Sequence, residues 1–322
     1  MKELHNYQWP QCFIKKIKLS YKNSTKINLK LIHKIENFFY QKFKRKAVLF
    51  PSGRSCLGAI LEFNKLNRSN EIYLSKWVSN CLFNAVGYFS NPTINLVKPD
   101  MIIYNNIWGS KQKILLKKII NKKIHLVDDS CDSIILNSNT LFPNKSEYEF
   151  FSLPKIIGSI SGGIIISKNL KFLKFCKKRQ EKNVRLGKIQ SILKFNEINN
   201  KSKYDYRYNE VINSYLDTNA LKDIDNNLDN YELNKKIILK RMNELKSIIS
   251  IEKKSKRVGP LIPIDINKLK NHNQLKKIFL FRHKLVNTKK NTSKVYLLFP
   301  VHYKITSLVF KKYLNALKKN IK

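Results

Sequence analysis

The chain is poor in acid, poor in cysteine and without a long apolar run, and each shortage excludes something. No stretch approaches the ~18–20 consecutive apolar residues of a membrane-crossing helix, so no membrane insertion is expected. The opening residues, Met1-Lys2-Glu3-Leu4-His5-Asn6, lack the apolar segment of a secretory signal. Five cysteines, Cys12, Cys56, Cys81, Cys131 and Cys176, are odd in number and widely scattered. No Cys-x-x-Cys or Cys/His pairing suggests a metal site, and free thiols in a reducing cytoplasm fit best. Asp and Glu number 22 against 63 Lys and Arg, a formal charge of +41. Taken alone, that balance points to nucleic acid or an anionic membrane surface. The positive charge, however, is overwhelmingly lysine, scattered among Asn and Ile from end to end. Such a distribution argues against a specific nucleic-acid binder and still favours small anionic ligands such as nucleotide diphosphates.

What is present suits a folded protein of roughly two domains: 322 residues with 43% hydrophobic side chains can bury a sizeable core. Residues 1–47 read as an arm followed by an amphipathic helix around Leu31–Phe39. Short apolar runs then alternate with helical stretches: Ala47–Phe50, Ile72–Leu74, Thr93–Val97, Met101–Tyr104, His125–Val127, Glu149–Ser152 and Ile164–Ser167. This alternation predicts an α/β domain over 48–215, a mostly parallel sheet flanked by helices. A linking helix and a smaller α+β C-terminal domain are expected over 216–322, with strands at 259–264 and Val295–Phe299 and a closing helix at Ser307–Leu317. The Lys/Asn-rich stretches 195–203 and 285–294 read as loops.

The chemistry concentrates between Glu147 and Ile166. An aromatic strand runs into Ser152-Leu153-Pro154-Lys155, and Gly162-Gly163 then starts a second apolar strand. Lys155 is thus set between two apolar strands. Burial there would disfavour its ammonium form and lower its pKa, which turns a lysine into an amine able to condense with a carbonyl. Upstream, the buried-strand pattern Ile124–Val127 ends in Asp128-Asp129-Ser130-Cys131-Asp132. Ligands of open α/β sheets bind at the carboxyl ends of strands. A carboxylate there, paired with a later lysine, is what pyridoxal phosphate requires: the acid keeps the pyridinium nitrogen protonated and the lysine carries the aldehyde. A third segment, Phe50-Pro51-Ser52-Gly53-Arg54, ends a strand and opens a helix, where backbone N–H groups and hydroxyls hold anions such as a phosphate.

These motifs, in this order, resemble the DegT/StrS sugar aminotransferases over about residues 48–310. Ser152 to Gly163 matches the family's S-L-R-K frame and D-G-G-like turn without a gap, with Pro154 in the Arg place and Ser161 in the Asp place. Asp128–Asp132 resembles its E-D-x-x-(Q/H) run, Ser52–Leu57 its S-G-(R/T)-x-A-L motif, Leu74–Ser79 its L-P-x-(Y/W)-x-C segment, Asn106–Gly109 its H-x-F-G segment, and Leu298–Tyr303 its L-P-(V/L)-H. The resemblance implies an aspartate-aminotransferase-like fold, pyridoxal 5'-phosphate as cofactor, and a homodimer that moves an amino group from glutamate to a nucleotide-linked keto sugar for a surface polysaccharide or lipopolysaccharide. It implies that Lys155 and Asp129 are catalytic, and that Ser52, Gly53, Arg54, Ser55, Trp77, Asp132 and Ser152 contact the cofactor. Asn106, Arg207 and His302 are the implied substrate contacts. The chain departs from the pattern at Asp132, where relatives have Gln or His, and at Asn106, where they have His. These departures leave open a catalytically impaired cofactor-binding regulator or scaffold of the same fold.

Overall fold

A computed structural model of the chain describes residues 9–10, 20–76, 78–112, 114, 124–182, 187–189, 191–192, 210–251, 257–287 and 292–322. A short helix α1 (Tyr21–Ser24) precedes α2 (Leu29–Phe43), which is longer at both ends than its apolar stripe marks. The Asn28 side chain caps α2 by accepting the Leu31 N–H at 3.1 Å, and the helix buries Ile32, Ile35, Phe39 and Phe43. There follow β1 (Ala47–Phe50), α3 (Gly53–Phe63), β2 (Glu71–Tyr73), α4 (Asn80–Phe89), β3 (Asn91–Thr93), β4 (Met101–Asn105), β5 (His125–Asp129), β6 (Ile134–Ile135), β7 (Tyr148–Ser152), α5 (Leu153–Ile156), β8 (Gly163–Ser167) and α6 (Leu170–Lys182). The C-terminal part comprises α7 (Thr218–Asn226), α8 (Asn230–Lys246), β9 (Arg257–Val258), β10 (Leu261–Asp265), α9 (His272–Leu275), β11 (Leu280–Asn287), β12 (Thr292–Pro300) and α10 (Ser307–Lys318).

Seven strands form one sheet in the order β1-β8-β7-β5-β4-β2-β3. β3, β2, β4, β5 and β7 run parallel, while β8 is antiparallel to both β7 and β1. Strands covered on both faces are apolar throughout, and β1 and β8 are buried at every position. One face packs on α3 and α4 through Leu57, Ile60, Leu61 and Val86, all fully buried. Each such side chain contributes roughly 1.5–3 kcal/mol of transfer free energy. The other face joins α2, α7, α8 and the small sheet β10-β12-β11 in one continuous core.

Two expectations about strands need correction. The strand expected at Thr93–Val97 lies earlier, at Asn91–Thr93, and Ile94 and Val97 are exposed. β3 is an edge strand, where Pro92 is tolerated. The loop expected over 285–294 is strand through Asn287 and again from Thr292, because β11 and β12 pair antiparallel there. Residues 195–203 lie outside the described residues. Among those described, no helix is long and apolar enough to cross a membrane.

Candidate active site

The carboxyl ends of β4, β5 and β7 lie side by side, with Asn105 opposite Asp129 and Asp129 opposite Phe150. Alternation along β5 divides the two aspartates between tasks. Asp128 is fully buried and accepts from Asn106 Nδ2 and Asn144 Nδ2, both at 2.7 Å, and from Ser146 Oγ at 2.6 Å, which fixes the neighbouring loops. Asp129 faces two adjoining cavities, of about 370 and 260 Å³, that meet at Ser79, Asp129, Cys131 and Lys155. Burial pushes the Asp129 carboxyl above the usual carboxylate range; the Cys131 N–H, donated at 3.0 Å, and the Lys155 ammonium pull it back.

Lys155 lies in the connection between the antiparallel strands β7 and β8. β7 ends at Ser152, Pro154 stands in the first turn of α5, and Lys155 follows on that short helix. Its Nζ lies 2.7 Å from Asp132 Oδ1 and 4.6 Å from the centroid of the Trp9 ring. The expected depression of its pKa is reversed. Burial does press the ammonium downward, but the Asp132 carboxylate, reinforced by Cys131 and Asp129, outweighs it and holds the pKa above the ordinary lysine value. The surroundings are therefore anionic and aromatic rather than apolar.

The smaller cavity reaches under the N-terminus of α3. Ser52 caps that helix, accepting the Ser55 N–H at 3.2 Å, and Ser52, Gly53, Arg54, Ser152 and Ser161 all line the cavity. Glycines leave little room to spare on both sides of it. A Cβ on Gly53 would lie 2.7 Å from Cys131 Sγ, and one on Gly163 would overlap the Ser52 carbonyl. Gly162, at φ +116, turns the chain so that its N–H reaches Pro51 O at 2.6 Å. Arg54 is paired with Glu210, with Nε at 3.0 Å from Oε2, so its guanidinium comes to the cavity already partnered. Ser161 Oγ is buried there without a hydrogen-bond partner among the described residues. An orphaned hydroxyl beside a helix N-terminus fits a phosphate group.

Several sequence-derived contacts fall elsewhere. Ser55 is fully buried, and its hydroxyl donates to the Glu210 carbonyl at 2.7 Å, away from the cavity. Asn106 borders the larger cavity, but its amide is spent on Asp128, on Ser130 Oγ at 3.5 Å and on the Gln112 N–H at 3.1 Å. It positions Asp128 and leaves nothing for a substrate. His302 is fully buried, lines neither cavity, and presents its carbonyl to Arg241 Nη1 at 2.6 Å. Trp77 and Arg207 lie outside the described residues. Two residues were missed: Ser161, signalled only by its place in the D-G-G-like frame, and Trp9, which no local pattern marks.

A buried carboxylate at a strand end, a lysine facing it and a hydroxyl-lined anion cradle, on a sheet of this order, define a fold-type-I pyridoxal-phosphate enzyme. Comparison with known families bears this out. Residues 35–321 match the model of a family described as "Putative PLP-dependent aminotransferase", and the chain belongs to that family of pyridoxal-phosphate-dependent aminotransferases. Similar solved structures include a DegT DnrJ EryC1 StrS aminotransferase from Brucella abortus, with 12% identity, 90% of each chain covered and a TM-score of 0.57. DesV of S. venezuelae has 13% identity over 90% of this chain and 88% of its own, with a TM-score of 0.58. DesI, determined in the presence of its TDP-sugar product, has 12% identity over 90% of this chain and 84% of its own, with a TM-score of 0.60. The fold is thus that of the sugar aminotransferases. Curated protein sequences return no significant match.

Proposed function

We propose that the protein transfers an amino group from an amino acid, glutamate, to a keto sugar carried on a nucleotide diphosphate, acting as a cytoplasmic homodimer that supplies a surface polysaccharide or lipopolysaccharide. The observation that carries this reading is the placement of Lys155 and Asp129 where the two cavities meet. The smaller cavity has the hydroxyls and helix N-terminus for a phosphate; the larger one has Trp9, Trp108, Asn80, Asn105 and Arg282. Ring faces and amides suit a sugar, and an exposed guanidinium suits a diphosphate. The TDP-sugar product of DesI supports the same substrate class.

Bound cofactor supplies an electrophilic aldehyde and an electron sink. In this chain Lys155 would hold the aldehyde, Asp129 the protonated ring nitrogen, and Ser52, Ser152 and Ser161 the phosphate. Lys155, once free, is the group within reach to carry a proton at the reacting carbon. Asp132 holds that proton on Nζ when it is not in use.

The test is a half-reaction. Protein loaded with pyridoxamine phosphate is mixed with TDP- or UDP-linked keto sugars, and recovery of the pyridoxal absorbance with one of them is the expected result. A second reading, a cofactor-binding regulator or scaffold with little turnover, draws on the engagement of Lys155 by Asp132. It would replace the first if the cofactor binds but no amino donor ever yields pyridoxamine phosphate.

A further inference from the structure

The surroundings of Lys155 Nζ amount to a receptor for a primary ammonium. The Asp132 carboxylate, 9% exposed, meets it at 2.7 Å, and the Trp9 indole covers it at 4.6 Å. Trp9 is held in that place from two sides. The adjoining Pro10 is buried against Gly158, where a Cβ would lie 3.1 Å from Pro10 Cβ and 2.7 Å from Tyr303 Oη. Tyr303 Oη in turn donates to the Ile157 carbonyl at 2.8 Å, tying this corner to the loop after Lys155. The indole itself packs against the cluster of Trp108, Leu261, Tyr296 and Leu298. A carboxylate and an indole face converging on one point combine the two interactions that recognise an alkylammonium, a charge-assisted hydrogen bond and a cation–π contact.

An amino donor has to bring its own amine to the carbon that Lys155 serves, so the two amines take turns in one place. We propose that Asp132 and Trp9 form an ammonium subsite that holds Lys155 when it is free and the amino group of the donor when Lys155 is engaged. This rests on the aminotransferase reading and adds to it a donor-recognition site built partly from the N-terminal arm of the same chain. The ligand is a primary ammonium with N–H groups to give. A quaternary ammonium meets the indole but has nothing to donate to Asp132.

The direct probe is ethylammonium, titrated calorimetrically into full-length, cofactor-free Lys155→Ala. Saturable binding is expected, with tetramethylammonium about tenfold weaker. Adding Asp132→Asn or Trp9→Ala should each weaken ethylammonium about tenfold, and Trp9→Phe should restore most of the loss of Trp9→Ala. Binding that is absent from a folded Lys155→Ala protein, or indifferent to both second substitutions, overturns the proposal. Should Lys155→Ala not fold, cofactor-loaded protein with Lys155 intact decides. There Asp132→Asn and Trp9→Ala should raise the KM of the amino donor about tenfold and change that of the keto substrate less than about twofold. Equal changes in both KM values overturn it. Cofactor attachment to Lys155 is measured separately, so a labelled Lys155 without ammonium binding removes the subsite and leaves the aminotransferase reading standing.

Discussion

Asp132 sets the charge of Lys155, and it stands where the resemblance leads one to expect Gln or His. A carboxylate buried in a site calls for a compensating cation. Lys155 is that cation, and Asp132 holds its pKa above the ordinary value. Only the free amine condenses with an aldehyde, so capture of pyridoxal phosphate by cofactor-free protein should be slow near neutrality and rise as the pH climbs toward the raised pKa. Asp132→Asn removes the main cause of the rise, and the rate profile should shift toward lower pH. Stopped-flow absorbance measures it, and an unmoved profile contradicts the assigned pairing. Lys155 and Asp129 were legible because each sits in a short motif at a strand end. Trp9 was not, because its contact with Lys155 spans most of the N-terminal half of the chain and leaves no periodicity.

At the scale of elements, β1, β4 and β8 were legible because they are buried and read as apolar runs, whereas the edge strand β3 has no such run. β11 was not: it is an edge strand of a small sheet, so Arg282 and Lys284 interrupt its apolar pattern, and the Lys/Asn-rich stretch reads as loop. Nor was the two-stranded sheet β6-β9, which holds one buried cation against the large sheet. Arg257 on β9 pairs with Glu149 on β7 and donates to Ser130 Oγ at 2.7 Å, both carboxylate and guanidinium being buried. Burial pushes the Glu149 carboxyl up, and the Arg257 guanidinium is the largest influence pulling it back. Arg257→Met should therefore cost about 3–5 kcal/mol in urea unfolding, because it leaves a buried charge without its partner. Combining it with Glu149→Gln should recover much of that loss. A cost under about 1 kcal/mol would show that the pair is not buried as described.

For the whole molecule, the formal charge of +41 is far larger than the few paired groups of the candidate site account for. An excess of this size draws anions in from solution, an effect that salt screens over about 8–10 Å. Association of a nucleotide diphosphate should accordingly slow several-fold between about 0.05 and 0.5 M salt, while the rate at which bound cofactor is lost changes little. Association insensitive to salt would confine the charge to solubility.

That this fold presents one lysine to pyridoxal phosphate is tested most directly by adding the cofactor, reducing with borohydride and mapping the labelled peptide. The pyridoxyl group should be found on Lys155, with no label in Lys155→Ala. A label on any other of the chain's lysines, or on none, would show that Lys155 does not carry the cofactor.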